Sequence, residues 1–352
     1  MKKLFLFLSA LMLNVFVGGA IAIASGLSPV AVIGGGMVLS AFMPKMAGIL
    51  PMAIQKEIWM ATIVEGLFAD NSFLSKAFNA DEFVNNGKTV HIPNAGAPSN
   101  VEKNRSAYPA TVLHRVDPDL DFVLDEYTTD PIRIPHADTV ELSYNKRESV
   151  VGQDRRKLFE VVANDFIAKW SPGSAQHIKT TGDGVDAHLP SATGQRAAFT
   201  KKDVTAAMNQ FNKDDVPQEN RYMLIDAVMY GQLLDSLTDA ESQAFHAQVD
   251  TANGILGKLM SFNIMMRSKS ARYNGSYVAK AWTAAGNATD RAAALAWHYD
   301  SVCRALGEVN MFGTESDPTY YGDIYSFLVR AGGRPMREDV KGLVAIVQDD
   351  AT

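Results

Sequence analysis

The chain has a single cysteine in 352 residues, Cys303, so it can form neither an intrachain disulfide nor a thiolate zinc cluster. Its seven histidines, His91, His114, His136, His177, His188, His246 and His298, never stand at HExxH or HxH spacing, the usual sequence sign of a metal centre. The GxSxG of a nucleophile elbow is missing, and Gly34-Gly35-Gly36 lacks the Lys-Ser/Thr that completes a phosphate loop. Positive charge is in deficit. With 33 Lys and Arg against 39 Asp and Glu the net charge is −6, which disfavours a dedicated nucleic-acid binder with a basic face. Internal repeats and low-complexity tracts are also absent. What is present, 47% hydrophobic and 20% charged residues, excludes wholesale disorder. The length suits one large domain or two or three subdomains with their own cores.

The chemical motifs that do occur are weak. Ser143-Tyr144-Asn145-Lys146 matches the SxxK of serine–lysine acylating enzymes, but its SDN and KTG companions are missing and Lys179-Thr180-Thr181-Gly182 only approaches one. Gly182-Asp183-Gly184 with Asp186 lacks EF-hand spacing and reads as a polar loop. Asn104, Asn274 and Asn287 open glycosylation sequons of the kind that recur by chance. Cys303 among Ala292, Leu295, Trp297, Val302 and Leu306 reads as a small buried hydrophobe, and His298 beside Trp297 as a structural histidine. No enzymatic activity, cofactor or metal is expected.

Lys2 and Lys3 precede an apolar run from Leu4 to Ala24 with Ala22-Ile23-Ala24 at its end, the pattern of a secretory signal or a membrane anchor. Val30 to Met43 is a second apolar stretch. Ile54 to Phe68 carries Ile54, Ile58, Trp59, Ile63 and Leu67 on one helical stripe. Asn85-Asn86-Gly87 marks a turn, Lys88 to Pro93 a strand, and Asn94 to Ala110 an exposed extended loop.

Asp117 to Leu142 reads as one or two long strands. Asp117, Asp119 and Asp121 alternate with Pro118, Leu120 and Phe122, and Ile132 and Ile134 with Arg133 and Pro135. Such acids could pair for glycoside chemistry, but a solvated face or an intersubunit ion-pair row is the commoner use. Ser143 to Trp170 is the longest helix, with Leu158, Phe159, Val162, Phe166 and Trp170 inward and Ser171-Pro172-Gly173 as its stop. Gln176 to Arg196 reads as a polar surface segment. Thr200 with Asp203 opens a helix bearing Val204, Met208 and Phe211. Arg221 to Ala227 is a buried strand, Val228 to Leu237 a short helix, Ile255 to Met266 contains a strand, and Tyr277 to Trp282 a third. Asp290 to Leu306 reads as a helix, Tyr320 to Arg330 as a mixed segment, and Gly342 to Gln348 as a closing strand. Helices and strands interleave without a βαβ rhythm, so the fold class is α+β.

The order of these elements resembles the tailed-bacteriophage major capsid proteins of the Hong Kong phage fold. Glu57-Ile58-Trp59 and Gly87-Lys88-Thr89-Val90-His91-Ile92-Pro93 resemble the arm helix and the entry to that family's extended loop. DEYTTDPIRI (125–134) and ELSYNKRESV (141–150) resemble the return into its spine helix. Arg221 to Asp226 with Tyr230, Leu233 and Leu234 resembles the axial domain, and Leu295 to Val302 a helix late in the family's chain. Tyr320 to Asp323 and Gly332-Gly333-Arg334-Pro335 precede the last strand in similar fashion. The resemblance implies a mixed-sheet capsid fold with a spine helix, an extended β-hairpin loop, and axial and peripheral subdomains. Its segments would be a hydrophobic N-terminus (1–53), an arm helix (54–84), the loop (85–130), a peripheral domain (131–198 and 270–352) and an axial domain (199–269).

It also implies a shell subunit that forms hexamers and pentamers around packaged double-stranded DNA in a virion assembled in the host cytoplasm. Scaffold, portal and decoration proteins would be further partners. Asp117, Asp119, Asp121, Arg105, Arg115, Arg147, Arg155 and Arg156 would then be subunit contacts. The apolar first fifty residues depart from the family, and Met1 to Ser25 alone support a rival reading, an exported or membrane-anchored protein of unknown binding role. A serine hydrolase using Ser143 and Lys146, or a cellular nanocompartment shell built on the same fold, would also accommodate parts of the sequence.

Overall fold

The computed structural model describes Ile63, Leu67 and residues 71–93, 101, 103–106, 112, 119–135, 146–173 and 176–351. The first strands are short: β1 (Phe78–Asn79), β2 (Val84–Asn85), β3 (Thr89–Pro93), β4 (Asp119–Val123), β5 (Asp125–Thr128) and β6 (Ile132–Pro135). Helix α1 (Lys146–Trp170) follows, then β7 (His177–Lys179), β8 (Gly184–Asp186), β9 (Gln195–Ala197) and α2 (Lys201–Lys213). The middle of the chain forms β10 (Arg221–Asp226), α3 (Ala227–Asp235), α4 (Asp239–His246), β11 (Ile255–Leu259), β12 (Phe262–Arg267), β13 (Ala271–Tyr273) and β14 (Ala279–Lys280). It closes with β15 (Arg291–His298), β16 (Val302–Asp317), β17 (Gly322–Pro335) and β18 (Leu343–Val347).

These strands make an α+β fold with two main sheets. One runs β1-β16-β17-β5 and is built on the β16–β17 hairpin, with β6 also paired to β17. The other runs β11-β12-β10-β15-β13-β14, with β18 also paired to β15 and β7 to β18. A three-stranded sheet β2-β3-β4 and a ribbon β8-β9 complete the set.

The helices start where side chains can satisfy their first amides. Asp203 Oδ2 accepts from the Thr200 backbone N–H at 2.8 Å and from its hydroxyl at 3.0 Å, as the capping-box spacing predicts. Asp226 Oδ1 accepts from Met229 N at 2.7 Å at the head of α3, and Thr238 and Glu241 box the head of α4. α1 ends at Trp170 as expected, and Ser171 Oγ donates to Ile167 O at 2.7 Å. Its inner stripe of Leu158, Phe159, Val162, Phe166 and Trp170 is buried. Gly152 has no atom within 4 Å of where its Cβ would stand. Gly152→Ala should therefore gain about 1 kcal/mol of helix propensity and raise Tm in a melting scan.

An aromatic knot ties α1 to the larger sheet. Trp170 lies 5.8 Å from Trp297, 5.7 Å from Phe166 and 5.8 Å from Phe73, and Trp297 Nε1 donates to Lys76 O at 2.8 Å. Each such ring pair adds about 0.5–1.5 kcal/mol beyond the area it buries. A second core forms where Phe199, Val204, Phe211, Met223, Ile225 and Phe262 meet Ala292, Ala294 and Ala296.

Several expectations are corrected. Residues 290–306, expected as a helix, form β15, a one-turn 3-10 segment and the start of β16. All eight residues of β15 are buried, so period 2 leaves no polar face and the run is as apolar as a buried helix. Of the span 117–142, expected as one or two long strands, the described residues 119–135 form three short ones in two different sheets, β4, β5 and β6. Tyr277 to Trp282 contributes only two strand residues, and the polar surface segment 176–196 contains β7, β8 and the first two residues of β9. In the predicted 54–68 helix, Ile63 and Leu67 are helical and buried; the rest, like the segments 2–24 and 30–43, lies outside the described residues.

Candidate assembly surfaces

β3 and β4 flank the segment expected to form the loop that reaches a neighbour. They are antiparallel, with His91 opposite Asp121 and Pro93 opposite Asp119. Val90, Ile92 and Leu120 point inward and join Ala80, Leu124, Cys303 and Ala305 in a small core. The alternating acids therefore face out: Asp119 and Asp121 are exposed on either side of buried Leu120. His91 Nδ1 lies 2.6 Å from Asp121 Oδ1, with both side chains about half exposed. Asp119 enters no ion pair among the described residues.

The next acids are used differently. Asp125 pairs with Lys169, which also sits 2.8 Å from Asp165, and the Tyr127 hydroxyl donates to Asp165. Burial first, then the Asp165 contact, pushes the Tyr127 phenol far above its usual range. Arg330 bridges Glu126 at 2.9 Å and Glu308 at 3.3 Å. These contacts fasten β5 to α1 and to the hairpin, so Asp125 and Glu126 are engaged inside the subunit. Of the arginines expected to meet the acids, Arg155 is half-buried with its Nε enclosed and Arg156 is exposed on α1. Arg105 is half-buried and Arg147 lies on α1; Asp117 and Arg115 lie outside the described residues. No ion pair joins Asp119 or Asp121 to Arg155 or Arg156 among the described residues.

The reactive side chains are placed for structure. Cys303 is fully buried on β16, its thiol pushed up to about 11 by burial, the reverse of an activated nucleophile. Burial holds the His298 imidazole below its ordinary range, and its Nδ1 accepts from Asp300 N at 3.2 Å. His188 pairs with Asp226 at 2.9 Å, but Asp226 is already the cap of α3. Asp186 accepts from Gln195 within the β8–β9 ribbon. Ser143 lies outside the described residues. Among the described residues no three His, Cys, Asp or Glu side chains gather as a metal site, and no helix is long and apolar enough to cross a membrane.

Sequence reasoning missed two polar clusters. Asp290, fully buried, accepts from Lys280 Nζ through both carboxylate oxygens at 2.9 Å, with Arg272 Nε at 3.9 Å. Just after β18, Arg291 holds Asp349 at 2.6 Å and Asp350 at 2.7 Å while Arg196 holds Asp350 at 2.6 Å. Nothing in the local pattern marks either one, because the partners are brought together only by the sheet.

Comparison with protein-family models and with curated proteins yields no match. Solved structures do match. A chain from the capsid of Ralstonia phage GP4 superposes with a TM-score of 0.55 at 11% identity, over 79% of this chain and 88% of that one. A chain from the capsid of Cyanophage P-SCSP1u gives 0.51 at 16% identity, over 78% and 87%. The chain has the Hong Kong phage capsid fold. A chain from Mycobacterium phage Che8 agrees, with a TM-score of 0.50 at 17% identity over 78% of this chain and 90% of that one.

Proposed function

We propose that the chain is the structural subunit of a tailed-phage head, assembling with copies of itself into a closed shell around double-stranded DNA. The single observation that carries this reading is the shared fold over nearly four fifths of the chain with phage capsid subunits. The physical arrangement supports it. Two sheets and one long helix make a subunit with its own core. In the shell, α1 would serve as the spine helix, and β3 and β4 would be the rails of the extended loop. Many weak contacts repeated in a closed lattice then give large collective stability.

Hexamers and pentamers, the division into peripheral and axial segments, and a place in the virion after assembly in the host cytoplasm all belong to this reading. Scaffold, portal and decoration proteins would join during assembly. The acidic balance suits a wall that encloses DNA without gripping its phosphates. Electron microscopy of the purified chain should show closed particles of uniform size. Monomers only, across salt and crowding conditions that promote assembly, would refute the reading.

Within it, Asp119 and Asp121 are intersubunit contacts. Asp119→Asn with Asp121→Asn should lower particle yield while leaving the subunit's circular dichroism and Tm unchanged, because the exposed His91–Asp121 pair costs the fold little to lose. Unfolding of the double variant would place both acids in the core instead.

A further inference from the structure

His298 stands at a joint between the two main sheets. It is the last residue of β15 in the larger sheet, and β16 of the hairpin sheet begins at Val302. Only the 3-10 turn Tyr299–Ser301 lies between them, so a movement of one sheet against the other bends this link. Backbone bonds pin it from three sides. Gly342 O accepts from His298 N at 2.9 Å, Asn220 O from Tyr299 N at 3.1 Å, and Ser301 O from Met336 N at 2.9 Å. The His298 ring supplies the fourth tie, capping the turn where Asp300 N donates to its Nδ1 at 3.2 Å.

That cap fixes the protonation of the ring. A nitrogen that accepts from a backbone N–H carries no proton, so the neutral ring holds its proton on Nε2. The ring in turn donates to the backbone of Glu219. A second proton would put an N–H on Nδ1 against the Asp300 N–H, and the cap would become two opposed donors. The residue is 6% exposed, so little water can take over from either.

Charge acts in the same direction. Arg221 stands directly opposite His298 on β10, so the two side chains share one face of the sheet. Arg221 is fully buried and donates to uncharged acceptors: Val216 O at 2.6 Å, Pro217 O at 2.8 Å, Asn212 Oδ1 at 2.9 Å and Ser261 Oγ at 3.1 Å. No carboxylate pairs with it among the described residues. A cationic His298 would therefore face a buried charge that nothing neutralises. Asp300 Oδ2 lies 3.8 Å from Nδ1 but is 73% exposed, and an ion pair so open to water offsets little. Tyr222 and Tyr299, the next residues along β10 and the turn, are phenols and neutral in mild acid. On the other side of β15, β18 sets Leu343 opposite Trp297.

We propose that His298 is a proton-operated catch on the joint between the two sheets: neutral, it caps the linking turn; protonated, it releases it. The catch is a property of the subunit and does not depend on the shell reading. Burial, the largest influence, and Arg221 hold the ring below its ordinary 6.5 despite Asp300. The stabilisation is complete above the unfolded value and is lost as pH falls through the folded one. Within that window, opening of the turn grows by up to about tenfold per pH unit.

Hydrogen exchange of the full-length chain, read by mass spectrometry and corrected for the intrinsic rate at each pH, tests the catch. From about pH 7.5 to about pH 5, peptides covering 298–301 and 336–342 should lose protection several-fold while β12 keeps its own. His298→Asn retains an acceptor for Asp300 N and takes up no proton, so its joint should stay protected throughout. Asp300→Asn changes an exposed side chain and removes the offsetting carboxylate. It should match the wild type near pH 7.5 and lose more protection in acid. A wild-type joint that stays protected, a loss spread equally to β12, or an equal loss in His298→Asn would each overturn the catch. So would a loss in Asp300→Asn no greater than in the wild type, and that comparison decides alone if His298→Asn does not fold.

Discussion

Asp290→Ala is expected to destabilise the subunit by about 3–5 kcal/mol, the usual cost of removing one member of a buried ion pair. The carboxylate is fully buried and receives Lys280 Nζ through both oxygens at 2.9 Å and the Asn287 N–H at 3.0 Å. Alanine would strand Lys280, which is 16% exposed, and leave the enclosed Arg272 Nε still further from an acceptor. Against a total stability of about 5–15 kcal/mol that is a large share. The measurement is chemical denaturation, read as a fall in midpoint at unchanged m value.

The pH dependence supplies a second check. Burial alone would raise the Asp290 pKa, but the Lys280 contacts and the Asn287 N–H outweigh it and hold the group below its ordinary 3.8. A depressed folded value means that the stabilisation is complete above the unfolded value and is lost as pH falls through the folded one. The gap between wild type and variant should therefore be widest near neutrality and shrink in acid. A loss below about 1 kcal/mol at pH 7 would show that Lys280 swings out to solvent and that the site is not tightly closed.

Gly333→Ala should cost about 3 kcal/mol or more, although it adds one methyl group. A Cβ at Gly333 would run into Cys303 O and stand 2.8 Å from the Phe166 ring and 2.9 Å from Trp170 Nε1. Trp170 Nε1 donates to that same carbonyl at 3.0 Å, so the methyl group lands on a buried hydrogen bond. Overpacking costs about 1–3 kcal/mol, and orphaning the indole N–H and the carbonyl adds a similar amount. Because Trp170 also anchors the ring contacts to Phe73 and Trp297, the substitution would loosen α1 from both sheets. Tm, and near-ultraviolet circular dichroism reporting on the packed tryptophans, are the readouts. Gly152→Ala in the same helix, with open space around it, is the internal control, and equal behaviour of the two would refute the packing argument.

Much of the local structure was legible in the chain. The β3 strand, the stop at Ser171-Pro172, the Thr200–Asp203 start of α2, β10, α3 and β18 stand where periodicity and capping residues put them. Alternation also identified Asp119 and Asp121 as an outward pair on either side of Leu120. β15 was not legible. An apolar run buried on both faces has no polar phase, and only its pairing with β10, β13 and β18 makes it a strand. The β16–β17 hairpin escaped for a related reason: its strands are set by each other across a turn rather than by pattern, and bulges break the alternation near Leu306 and Thr314.

The sequence by itself determined the class of molecule: a cysteine-poor, acidic α+β chain without a catalytic motif, with one long amphipathic helix and an acidic strand whose order resembles a capsid subunit. Only the tertiary structure decided which charges are spent inside the subunit. Asp125, Glu126, Asp290 and Asp349 look no different in sequence from Asp119 and Asp121, yet folding brings Lys169, Arg330, Lys280 and Arg291 to the first four. The reason is that a carboxylate's role depends on what stands within about 4 Å of it and on how much water remains there, and both are set by tertiary contacts rather than by its neighbours in sequence.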